Sequence, residues 1–171
     1  MNAKIKYLAV VIIVIIIIVS GISYFIISGE SHFGFPSTST IHTDLGNSTR
    51  LGQSKIVVSG PTNNISRIET LYYNSTATAK NTTIVTIIEA HANNTNDAKA
   101  IYKSIIGNSQ ITSKNAEILN ETYYGFIYTV TNTTAFGYKG QMLFIVVDPG
   151  SSASVMEKLA KTTINSMSTI V

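Results

Sequence analysis

Glu89 and His91 stand two positions apart in the run TTIVTIIEAHA, residues 82–92. On an extended chain both side chains leave the same face. A carboxylate beside an imidazole can share a proton or offer two ligands to a metal ion, so these two are the metal and acid–base candidates of the chain. A structural or catalytic metal needs a third protein ligand. The other histidines, His32 and His42, lie in a stretch of different composition. The plainer reading of Glu89 and His91 is a polar strand end, hydrogen-bonded or wet, with no metal and no cofactor expected.

Asp148 follows the apolar run LFIVV and precedes Pro149-Gly150, where a carboxylate commonly opens a turn. Tyr124, Phe126 and Tyr128 alternate at strand spacing, which fits a core stripe better than a ligand groove. No nucleophile elbow, phosphate-binding glycine loop, dinucleotide fingerprint or His-Glu-x-x-His is present, and no catalytic residue is assigned.

The acceptor pattern Asn-x-Ser/Thr occurs at Asn47, Asn64, Asn74, Asn81, Asn93, Asn120 and Asn132. About three matches are expected by chance in a chain this rich in Asn, Ser and Thr, so seven is an excess of about twofold. Sugar is bulky and must face water, and Asn81, Asn93 and Asn132 fall where turns are expected. Several occupied glycosylation sites are therefore expected, provided the chain is exported.

Export is what the N-terminus predicts. Residues Tyr7 to Ile27 form an uncharged run of 21 residues. As a helix it would be about 31 Å long, the thickness of a bilayer's hydrocarbon core. Lys4 and Lys6 precede it, which keeps residues 1–6 in the cytoplasm and sends the rest outward. Retained, the run is a single-pass signal anchor. Cut near Gly21, after the small residues Val19-Ser20, it is a leader, and the remainder is secreted. A pilin-type leader is a third reading, from which Lys4-Ile5 and Lys6-Tyr7 depart.

Beyond the run, residues 28–53 are rich in Gly, Ser and Thr without periodicity, and read as a stalk. Residues 54–171 read as one extracytoplasmic α+β domain. Strands are expected at Lys55–Ser59, Ile65–Ala79, Thr83–Ala92, Thr122–Thr131 and Ala135–Asp148. Thr83–Ala92 has apolar residues on both faces and should be central. A helix over 93–107 would be capped by Thr95 or Asn96 and closed by a left-handed Gly107. A last helix opens at Ser154–Glu157 as a capping box, with Met156, Leu159, Ala160, Thr163, Ile164 and Met167 as its apolar stripe. The order strands, helix, strands, helix predicts an antiparallel sheet covered by two helices.

From residue 28 onward 10 basic residues meet 9 acidic ones, so there is no electrostatic footprint for nucleic acid. There is no cysteine, which removes disulfides and thiol chemistry. A single N-terminal anchor, sparse charge, dense acceptor sites and abundant Ile, Tyr, Ser and Thr resemble small cell-surface glycoproteins of thermoacidophilic archaea. That resemblance implies an acidic exterior, where most outer carboxylates would be protonated. The expectation is thus a membrane-anchored, N-glycosylated surface protein whose outer domain binds envelope or filament proteins. A secreted, membrane-associated antimicrobial effector and a lipid- or small-ligand-binding module are the alternatives, and an extracytoplasmic hydrolase comes last.

Overall fold

The computed structural model describes residues 33–46, 51–59, 64–75, 83–108 and 119–169. The anchor segment 7–27, Lys4, Lys6, Asn47 and Asn81 lie outside them. Among the described residues no helix is long and apolar enough to cross a membrane. Three helices are described: α1 (Thr38–Leu45), α2 (Thr95–Asn108) and α3 (Ala153–Ser168).

Among the described residues seven strands form one antiparallel sheet: β1 (Leu51–Ser59), β2 (Ile65–Ser75), β3 (Thr83–Ala92), β4 (Leu119–Tyr123), β5 (Phe126–Val130), β6 (Thr134–Lys139) and β7 (Met142–Val147). Their spatial order is β1-β2-β3-β7-β6-β5-β4. The chain meanders through β1, β2 and β3, crosses by α2 to the far edge, and returns through β4, β5 and β6. β7 thereby closes the sheet against β3. The expected α+β class with an antiparallel sheet is the observed one.

β3 and β7 are central, and both are apolar on two faces because both faces are covered. Leu71, Tyr73, Val85, Ile87, Phe126, Tyr128, Phe144 and Val146 point to the side of α1 and α3. Ile65, Ile68, Ile88, Ala90, Phe136, Leu143 and Ile145 point to the side of α2. The apolar stripe of α3 is buried as its spacing predicts.

Several local features differ from expectation. Thr122–Thr131 is a hairpin, not one strand: Tyr124 (φ 47°) and Gly125 (φ 79°) form a two-residue turn of the primed kind that strand twist favours. Ala135–Asp148 is likewise folded in two at Gly140-Gln141, where Gly140 has φ 57°. α2 is capped by Asn94, whose Oδ1 accepts the Asp97 N–H at 2.9 Å, and Gly107 remains inside the helix. α3 is capped two residues before Ser154, by Ser152, whose side chain accepts the Val155 N–H.

Most consequential is the stretch read as a stalk. Residues 33–46 pack into the domain, adding a helix to the expected two, and β1 starts at Leu51. Ile41 of α1 is 0% exposed, and Thr162 of α3 donates to Asp44 Oδ2 at 2.6 Å. Only one residue of α1 is fully buried, so its amphipathic signal is too short to register as a period. The two-helix cover is thus three helices in two layers, α1 with α3 on one face and α2 on the other.

Candidate functional site

Strand register sets two rungs across the α1/α3 face at one end of the sheet. One rung runs Lys139, Met142, His91, Arg67 across β6, β7, β3 and β2. The next runs Gly137, Phe144, Glu89, Glu69. Three potentially cationic side chains therefore lie in one row, and two carboxyls lie side by side in the row below. The rung beyond, Ala135, Val146, Ile87 and Leu71, is apolar and belongs to the core that α1 and α3 share.

Gly137 is required where it stands. A Cβ there would sit 2.5 Å from Tyr128 Cβ and 2.7 Å from the Ile127 carbonyl oxygen, closer than side-chain atoms pack. Its bare backbone leaves room for the side chains of Tyr128 and Phe144, whose ring centroids lie 6.5 Å apart.

The two carboxyls have different surroundings. Glu69 is fully buried and accepts from Arg67 Nε at 2.7 Å. Glu89 is 0% exposed, and among the described residues neither of its oxygens has a hydrogen-bond partner. Burial, reinforced by the charge of Glu69, pushes the Glu89 carboxyl up to about 8. Near neutral pH it therefore keeps its proton, and it can donate one hydrogen bond as well as accept. Tyr73 is raised too, first by burial and then by Glu89; its hydroxyl donates to the Pro36 carbonyl at 2.5 Å.

That last bond ties the segment preceding α1 to the face of the sheet that carries Glu89. Phe33 in it stacks tilted on His91, with ring centroids 5.4 Å apart. Between this roof and the two rungs lies a cavity of about 550 Å³, lined by Phe33, Glu89, His91, Lys139, Met142 and Met167 among others. It is within the range that holds small organic ligands. A second crevice, beneath α2, has about 10 Å³ and is too small for any but a water-sized guest.

Glu89 and His91 are thus brought to one wall of a cavity, on the shared face their spacing implies. They do not bond to each other, since Glu89 has no partner. Among the described residues no group of three or more His, Asp or Glu could hold a metal ion. Phe126 and Tyr128 are core residues, whereas Tyr124 is 63% exposed on its turn. Asp148 closes a turn: its Oδ1 accepts the Gly150 N–H at 3.0 Å, while burial raises its carboxyl and that bond opposes the rise.

Four of the acceptor asparagines are described to the side chain. Asn64, Asn93 and Asn132 are exposed, and Asn74 is half-buried. Asn120 lies in β4. The Asn93 N–H donates to the Asn64 carbonyl at 3.0 Å, so these two sites sit together at the cavity end of the sheet.

Sequence reasoning missed Glu69, Arg67, Lys139 and Phe33. A signal for the first two was available: Arg67, Glu69, Leu71 and Tyr73 share one strand face, so charges at 67 and 69 continue a buried stripe. No known protein family matches the chain, and no curated protein matches it in sequence.

Proposed function

We propose that this chain is a single-pass, N-glycosylated cell-surface protein whose outer domain binds a small, largely apolar ligand in the cavity between the two rungs and the Phe33 roof. The observation that carries the binding role is the Glu89 carboxyl, fully buried, unpartnered among the described residues, and on the wall of a cavity of about 550 Å³. A buried polar group without a partner is destabilising by about 1–3 kcal/mol, which is unfavourable in a merely structural strand. A ligand that completes its hydrogen bonding removes that penalty. The anchor and the glycans are supported by the run Tyr7–Ile27, by Lys4 and Lys6, and by the excess of acceptor sites.

The test is mass spectrometry of the protein purified from its own membranes. Unfolding it should release a small molecule in near-equimolar amount, and Met142→Trp, which fills the cavity, should release none. A wild-type protein that is empty and takes up no apolar probe would sink the binding role. The intact mass separates the remaining readings: residues 1–27 retained means an anchored protein, whereas a chain starting beyond Gly21 means a secreted one.

Docking of an envelope or filament protein is a second reading, favoured by exposed Tyr124 and Ile127 on the β4–β5 hairpin. Tyr124→Ser with Ile127→Thr should release co-purifying protein while leaving the small molecule in place.

A further inference from the structure

We infer that the cavity takes an organic carboxylate with an apolar body, its carboxylate accepting a hydrogen bond from Glu89 and drawn in by the charge of Lys139 on the same wall. The inference rests on the proposed binding role and names the chemistry of the ligand.

Charge bookkeeping around Glu89 favours an anion. β2 contributes Arg67, Glu69 and Tyr73, β3 contributes His91, and β6 contributes Lys139. β7 contributes Met142 and Phe144; α3 adds Met167 to the lining, and the roof adds Phe33 and Gly34, none of them titratable. Arg67 and Glu69 neutralise each other at 2.7 Å. Lys139 makes no salt bridge among the described residues; its Nζ lies 5.8 Å above the Phe126 ring. With Glu89 protonated, the wall carries the charge of Lys139, and no anion among the described lining residues matches it.

Three ligand chemistries can be compared. An alkylammonium could donate to the carbonyl oxygen of the neutral Glu89 carboxyl, but it would set a second positive charge beside Lys139. An alcohol would give Glu89 a neutral hydrogen bond and leave Lys139 unmatched. A carboxylate receives the Glu89 O–H in a charge-assisted bond, roughly twice as strong as a neutral one, and supplies the anion that the rung lacks. The thioethers of Met142 and Met167 and the ring of Phe33 then enclose an apolar body, a surface that adapts readily to shape.

The experiment uses the full chain in lipid nanodiscs with its methionine methyl groups labelled with carbon-13. Of the four methionines, Met142 and Met167 line the cavity, and Met156 is buried in the core as an internal control. Three probes with the same body are titrated: 3-phenylpropanoate, 3-phenylpropanol and 3-phenylpropylammonium. The expected result is that the carboxylate moves the Met142 and Met167 signals but not Met156, and binds at least tenfold more tightly than the other two. Its affinity should fall about tenfold between pH 6 and pH 9, as Glu89 loses the proton it donates. Glu89→Gln keeps a donor, so it should still bind the carboxylate and lose that dependence on pH. If the pH dependence persists in Glu89→Gln, donation by Glu89 is overturned. Equal binding of the alcohol, or tighter binding of the ammonium, overturns the ligand class and leaves the binding role standing. If no probe moves Met142 or Met167, the binding role itself falls.

Discussion

Glu69 and Glu89 are direct register partners on β2 and β3, both fully buried on the face covered by α1 and α3. Facing residues on neighbouring strands bring their Cβ atoms to about 5 Å, where two like charges repel. Arg67 bonds to Glu69, and Glu89 is left to hold a proton. Among the described residues one cation therefore serves two carboxyls, and the second is neutral by default.

This asymmetry makes stability depend on pH in a defined direction. Glu89 is raised from 4.5 to about 8 in the fold, so between those values the folded chain holds a proton that the unfolded chain has lost. The contribution of Glu89 is complete below about pH 4.5, declines as pH rises, and is gone above about pH 8, a total of a few kcal/mol. Urea unfolding of wild type and Glu89→Gln from pH 5 to pH 9 measures it. The variant should gain on the wild type steadily up to about pH 8 and then run parallel.

Arg67→Met should destabilise the fold by roughly 2–3 kcal/mol, because it strands the Glu69 charge in the core. The effect falls short of that for a fully buried pair, since Arg67 keeps 32% of its side chain exposed. Arg67→Met with Glu69→Leu should recover most of the loss, as measured by the midpoint of denaturant unfolding.

Ile41→Ala tests whether residues 33–46 belong to the folded domain. A fully buried isoleucine truncated in a packed core costs about 2–5 kcal/mol, whereas the same change in a free spacer costs nothing. The loss should appear in the thermal midpoint of the whole chain.

Asn93→Gln and Asn132→Gln should each lower the intact mass of the native protein by one glycan, because both side chains are exposed at turns. The half-buried Asn74, within β2, should change the mass little when substituted. Unmodified Asn93 and Asn132 in protein from the source cells would remove the glycan coat from the proposal.

The α+β character, the two-faced burial of β3 and the apolar stripe of α3 were legible in the amino-acid sequence. Each is a local periodicity, a property of residues a few positions apart. Hairpins were harder: Tyr124-Gly125 and Gly140-Gln141 each interrupt a run that keeps its apolar alternation through the turn, so two strands read as one. The stalk reading fails because α1 is only eight residues long, and Ile41 with the half-buried Leu45 make a stripe too short to stand out as a period.

What chemistry the residues could attempt was also legible, since Glu89 and His91 share a face by strand geometry alone. Only the tertiary structure decided their surroundings. Register sets Glu69 beside Glu89 from 20 positions away and lines up Arg67, His91 and Lys139 in one row. The hydroxyl of Tyr73 draws the Phe33 segment over them from 37 positions away. Strand pairing and segment docking join residues that no local pattern links, so the cavity and the protonated carboxyl in its wall exist only in the folded chain.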